Sequence, residues 1–356
     1  MTTSPRPASD AVGIYDRLQS YQWNYDHPPD VVDVPLEPMS GQWSFCGQAV
    51  GSPLGMPAGP LLNGRWILYY AGLGFDVLTY KTVRSSQRPC YDLPNLQPVL
   101  TGSLQGHETE VPGSDSMEGS WAVSFGMPSQ EPESWRRDIE WTREQLPSEK
   151  LLSVSVVATI QPGWTIDDTA DDYAQCARWA AESGADCVET NFSCPNVSTA
   201  DGQLYQVPDQ AAVVAQRVRD AVGQTPYVIK IGHMPEPDRA RELLNAVAPH
   251  IDGIAMTNSV ATTVRMPGGE MLFDGASRGI CGKATREASL EQTRLFADLV
   301  REEGLGVSLI GVGGASTAAD VADYLEAGAE SVHIATAAMV DPLTAQKIRR
   351  DWGGAA

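Results

Sequence analysis

The chain has 356 residues, 42% of them hydrophobic, and sets 45 acidic against 25 basic side chains for a formal net charge of −20. Apolar material on this scale fills one large core or two ordinary ones, and the negative surplus repels nucleic acid and anionic lipid. No apolar run approaches a bilayer span, and the start Met1-Thr2-Thr3-Ser4-Pro5-Arg6-Pro7 lacks the hydrophobic centre of a secretion signal. A cytoplasmic protein without nucleic-acid or membrane partners is therefore expected.

In chain order, a polar head over residues 1–40 precedes one domain over 41–356. Residues 43–50 read as a short hairpin able to plug the bottom of a barrel. Apolar strand-like runs then recur at 55–58, 77–81, 152–159, 187–193, 227–231, 253–258, 307–311 and 332–336. Helical patterns lie at 64–71, 133–145, 171–183, 209–222, 237–247, 286–301, 317–327 and 342–351. Eight such units predict an α/β fold, a (β/α)8 TIM barrel, in preference to a doubly wound sheet.

Two connections exceed simple turns, 84–123 and 259–285. Both follow strand carboxyl ends, the face that carries chemistry in such a barrel, and so predict walls or a lid over the site. For the polar tip at 102–119, a solvent-facing or dimer-contact excursion is an equal alternative.

The run Glu189-Thr190-Asn191-Phe192-Ser193-Cys194-Pro195-Asn196 puts a thiol between two carboxamides where an apolar strand stops. A thiol there can trade a proton with a substrate carbon, while Asn191 and Asn196 each offer a donor and an acceptor to a polar ring. The same residues also suit a small buried thiol beside an Asx turn. The other cysteines, Cys46, Cys90, Cys176, Cys187 and Cys281, form no C-x-x-C pair with one another or with Cys194, so free thiols and no metal site are expected.

Lys81 ends one strand run and Lys230 interrupts another, and an inward lysine needs an anion or an electron-rich ring. Gly313 and Gly314 leave the seventh strand and open a helix, and Ala335 and Thr336 close the eighth, where backbone N–H groups commonly meet phosphate. A tight turn is the plain alternative for the glycine pair. Asn258 and Ser259 end the sixth strand and either face the same cavity or cap a turn.

Taken together, the stretches 51–59, 79–82, 191–196, 229–231, 257–259, 310–314 and 335–336 resemble the FMN-dependent dihydroorotate dehydrogenase family and the related flavin domain of dihydropyrimidine dehydrogenases. The resemblance implies that residues 41–356 form an FMN-binding barrel and that Cys194 is the acid/base residue, as in soluble class 1 enzymes. It places Lys81 beside flavin and substrate, Lys230 at the flavin's pyrimidine end, and Ala58 and Gly59 at its ring. It puts Gly279, Gly313, Gly314 and Thr336 at the ribityl phosphate, and counts Thr82 and Ala335 among the cofactor contacts. Asn191, Asn196 and Asn258, with Ser259, would hold a small-molecule substrate ring. Hydride would pass between a ring carbon and the flavin while Cys194 handles the neighbouring proton.

An unperturbed thiol titrates at about 8.5, so oxidation should have a basic optimum. The family also implies a homodimer and an electron acceptor that the residues do not name. Class 1 enzymes carry Asn-Ser-x-Gly where this chain reads Val123-Ser124-Phe125-Gly126, which removes one amide from the ring frame. A specialised enzyme with a non-orotate substrate and an FMN-binding protein without turnover are the competing readings.

Overall fold

The computed structural model describes residues 13–32, 34–193 and 200–354. All eight expected runs become parallel strands: β1 Leu54–Met56, β2 Val77–Val83, β3 Leu151–Val156, β4 Cys187–Asn191, β5 Tyr227–Lys230, β6 Gly253–Thr257, β7 Ser308–Val312 and β8 Ser331–His333. They pair in sequence order, and β8 closes on β1 to complete the barrel. Every residue of β2, β3 and β4 is buried, because helices cover the outside while side chains fill the inside. Register places Lys230 level with Asn191 on one side and Ala255 on the other, so the strand carboxyl ends form a common rim.

Eight helices follow the strands: α1 Gly64–Gly72, α2 Pro132–Gln145, α3 Ile166–Glu182, α4 Pro208–Val222, α5 Pro237–Val247, α6 Arg286–Glu303, α7 Ala318–Glu326 and α8 Thr344–Asp351. α3 starts five residues ahead of the expected position because Thr165 and Asp168 form a reciprocal capping box there. A second capping box, Thr317 with Asp320, opens α7. Proline at the first turn of α2, α4 and α5 sets φ where the missing N–H is not needed. Two short helices, Tyr21–Asp26 and Thr336–Val340, have no counterpart in the periodicity.

The barrel's bottom is plugged by the hairpin Trp43–Phe45 with Gln48–Val50. Phe45 enters the barrel and joins an apolar layer with Val77, Leu151, Cys187 and Ile310. The Glu330 carboxylate fixes the plug by accepting from Ser44 Oγ and, at 3.0 Å, from the Cys46 N–H.

The two long connections meet over the opposite end. They build a five-stranded sheet in the order Leu96–Pro98, Ser120–Val123, Arg278–Gly282, Val260–Arg265, Glu110–Pro112. The tip around 102–119 belongs to this lid: Leu104 is buried with Val111, Val264 and Ile280, and its N–H donates to the Ala284 carbonyl at 2.8 Å. The described part of the N-terminal segment packs on the same end, with Tyr15 and Tyr21 edge-on to Phe125. Asn24 and Tyr25 carbonyls accept from Trp66 Nε1 and Asn63 Nδ2, which fastens that segment to α1.

Candidate active site

A cavity of about 400 Å³ lies between the barrel rim and the lid. It gathers nearly every position singled out by sequence: Ala58, Gly59, Lys81, Thr82, Asn191, Lys230, Asn258, Ser259, Gly279, Gly313, Gly314, Ala335 and Thr336 all line it. Cys194 and Asn196 lie outside the described residues, and Ser193, the last described residue before them, is in the cavity wall.

The floor is polar and mostly buried. Lys230 Nζ donates to Glu189 Oε1 at 3.0 Å, and both side chains are almost fully enclosed. Such a pair persists in a barrel interior only because each charge answers the other. Lys81 reaches the cavity from β2, and its backbone N–H is held by the Leu61 carbonyl at 2.9 Å. Thr82 shares a hydrogen bond with Ser155 Oγ at 3.0 Å, which ties β2 to β3 beneath the cavity.

The two carboxamides are braced through Ser193. Asn191 Oδ1 accepts from the Ser193 N–H at 3.1 Å, while Asn258 Nδ2 donates to the Ser193 carbonyl at 3.3 Å and to Ser193 Oγ at 3.2 Å. Asn258 adopts the left-handed region at φ 66°, a conformation asparagine tolerates better than most residues and one that turns it inward at the end of β6. Among the described residues, Asn191 Nδ2 donates only to the weak acceptor Met127 Sδ at 3.4 Å, which leaves it a second N–H.

At the other end, glycines bring backbone to the cavity. A Cβ on Gly313 would lie 2.6 Å from Ser289 Cβ, and one on Gly314, which has φ +70°, would lie 2.7 Å from the Gly282 carbonyl oxygen. The tight-turn alternative for Gly314 is thus met at the same time as its place in the wall. Lys283, exposed, adds a cation beside these glycines.

The roof is different in kind. Leu96, Trp121, Val123 and Cys281 come down from the lid, and Phe125 and Met127 continue the apolar wall. Burial pushes the Cys281 thiol up to about 12, with Lys230 pulling the other way, and Cys281 Sγ donates weakly to the Asn258 carbonyl at 3.5 Å. Arg278 closes the lid's edge: its Nε donates to Ser124 Oγ at 2.9 Å and its guanidinium faces the Phe273 and Tyr91 rings at 5.2 and 5.8 Å.

Sequence reasoning passed over Glu189 as a partner for Lys230, the roof residues Leu96 and Trp121, and His333. A glutamate inside the strand run 187–193 was the available signal for the first. Among the described residues, no cluster of three or more His, Cys, Asp or Glu side chains is placed to hold a metal ion, and no helix is long and apolar enough to cross a membrane.

Residues 41–353 match the sequence family described as Dihydroorotate dehydrogenase. The chain belongs to the dihydroorotate dehydrogenase family. Accordingly, it is a flavin oxidoreductase of that type, working on a CH–CH bond. A Dictyostelium discoideum dihydroorotate dehydrogenase is 31% identical over 362 residues, covering 94% of this chain and 96% of the relative. A Halobacterium salinarum dihydroorotate dehydrogenase (quinone) is 27% identical over 354 residues, covering 98% and 88%. Among solved structures, Eimeria tenella DHODH in complex with ferulenol superposes with a TM-score of 0.72 at 16% identity, covering 93% of this chain and 88% of that one, a likeness of fold.

Proposed function

We propose that the chain is an FMN-dependent enzyme that interconverts CH–CH and C=C in dihydroorotate, with Cys194 moving the proton. The observation that carries this reading is the cavity itself, in which a buried Lys230–Glu189 pair, two braced asparagines and a glycine cradle converge from strands β4 to β7 and the lid. The residues fit the cofactor. A Cβ on Gly59 would meet nothing within 4 Å, so that backbone faces open space, while the cradle of Gly282, Gly313 and Gly314 sits beside Lys283 as a phosphate would require.

In this reading Gly279, Gly313, Gly314, Thr336 and Lys283 hold the phosphate, and Ala58 and Gly59 pass along the ring. Lys230, oriented by Glu189, has two further N–H donors for a ring carbonyl or nitrogen. Lys81 faces the boundary between cofactor and substrate. Asn191 and Asn258, with Asn196 and Ser259, orient the substrate ring. Bound FMN supplies the two-electron acceptor for hydride. Cys194 takes the proton from the carbon next to the one that loses hydride, so the C=C bond forms without a net charge on the ring. Turnover then needs an acceptor that reoxidises the cofactor.

Anaerobic mixing of the yellow protein with dihydroorotate tests the proposal. Flavin absorbance should be lost with one equivalent of substrate, and Cys194→Ala should slow that bleaching by about 10²- to 10⁴-fold. Wild-type protein that carries flavin and stays yellow would sink dihydroorotate as the substrate.

A further inference from the structure

Four tryptophans are buried among the described residues: Trp66, Trp121, Trp135 and Trp352. Three of them give the indole N–H to a backbone carbonyl, Trp66 to Asn24 at 3.0 Å, Trp135 to Arg84 at 3.1 Å and Trp352 to Ser40 at 3.2 Å. Trp121 is the exception. It is 5% exposed, and its Nε1 has no acceptor among the described residues, yet that atom is not sealed in: it keeps accessible surface, and the space that Trp121 borders is the cavity. A buried indole donor left unmade is costly, so an acceptor on the cavity side is implied.

Register fixes which part of the cavity the indole meets. On the lid strand Ser120–Val123, Trp121 pairs with Cys281 on one side and Pro98 on the other. Residues on one face of a strand recur at every second position, about 7 Å apart. Gly119 and Val123 accordingly line the cavity on either side of Trp121, while Ala122 turns away into the separate lid core with Leu104 and Ile280. Gly119 belongs to the glycine end: its carbonyl accepts from the Lys283 N–H at 2.8 Å, and a Cβ on Gly282 would lie 2.2 Å from that oxygen. Val123 leads the other way, to Met127, whose Sδ meets Asn191. Trp121 thus hangs midway between the glycine cradle and the asparagines.

We propose that Trp121 is a cofactor-binding residue of the lid: its indole N–H donates to a hydroxyl oxygen of the FMN ribityl chain, and its ring closes the cavity over that chain. This rests on the flavin reading above. A cofactor with its phosphate at Gly313, Gly314 and Lys283 and its ring towards Lys230 passes beneath Trp121 with the linking chain, whose hydroxyls are acceptors not claimed by the phosphate cradle or by Lys230. The lid then grips the cofactor as well as roofing the substrate.

The test uses the full chain stripped of cofactor and titrated with FMN and with lumiflavin, which has the same ring without the ribityl chain, followed by flavin fluorescence and by NMR of ¹⁵N-tryptophan-labelled protein. Trp121→Phe keeps an aromatic ring and loses the N–H. It should weaken FMN binding about tenfold and leave lumiflavin binding within about threefold of wild type. The wild-type Trp121 indole N–H resonance, assigned by its loss in Trp121→Phe or Trp121→Tyr, should move on FMN addition before any substrate is present. If the variants loosen the lid, the wild-type resonance still decides. An indole resonance that stays put with FMN, or that moves only with substrate, would overturn the proposal. So would an equal loss of affinity for lumiflavin, which would make Trp121 a ring contact alone. A wild-type chain that takes up no FMN would overturn the flavin reading itself, a separable result.

Discussion

The floor and the roof of one cavity are made by opposite rules. The floor, on barrel strands, is charged and polar: Lys81, Glu189, Asn191, Lys230 and His333 are all buried there. The roof, on the lid sheet, presents Leu96, Trp121, Val123 and Cys281. Buried charges on rigid parallel strands fix atoms to within a narrow range, whereas an apolar lid excludes water and tolerates changes of shape. Under the proposed function, the chemistry would fall to the barrel, and the lid would add to the choice of substrate that the barrel asparagines begin.

The largest expected effect breaks the floor. Lys230→Met strands the Glu189 carboxylate and should cost about 3–5 kcal/mol in urea unfolding, while the double change Lys230→Met with Glu189→Met should recover most of it. A single variant as stable as wild type would show that the pair is not enclosed in solution.

Next comes acid. Folded His333 stays neutral to about pH 3, while the unfolded chain protonates this residue near 6.5. The unfolded state therefore binds more protons between those values, so the stabilisation is complete above about 6.5 and falls with pH, by up to about 1.4 kcal/mol per unit, towards pH 3. In cofactor-free protein, His333→Gln should flatten the dependence of the unfolding midpoint between pH 6 and 4. An unchanged slope would place the imidazole in contact with water.

Smaller effects belong to the lid. Val123→Asn would add an amide to the proposed substrate frame and should raise kcat/KM for dihydroorotate about tenfold with little change in Tm. A fall instead would mean that the natural substrate presents an apolar group to Val123. Smallest of all, Glu110→Gln removes the partner of exposed Arg265 on the lid's outer strands and should leave activity and Tm within error.

The same division governs what the sequence revealed. Every barrel strand announced itself, because runs such as Val77-Leu78-Thr79-Tyr80-Lys81 are locally apolar and separated by helical periodicity. The lid strands did not: they are three to six residues long, and partners such as Glu110–Pro112 and Val260–Arg265 are separated by about 150 positions, so no local pattern marks the pairing. Lys81 and Lys230 stood out as cations in apolar runs, yet His333 in Ser331-Val332-His333-Ile334 reads as one more core residue until Gly55 and Phe45 are seen around it. Tyr21–Asp26 was hidden by its shortness and by the polar composition of the head.

The central claim, that the space between polar floor and apolar lid is a flavin mononucleotide site, is tested most directly by titrating the cofactor-free chain with FMN and with riboflavin. The account predicts one FMN per chain and an affinity for riboflavin at least about a hundredfold weaker, because only FMN carries the phosphate that Gly313, Gly314 and Lys283 would hold. Equal affinities, or no binding of either, would contradict it.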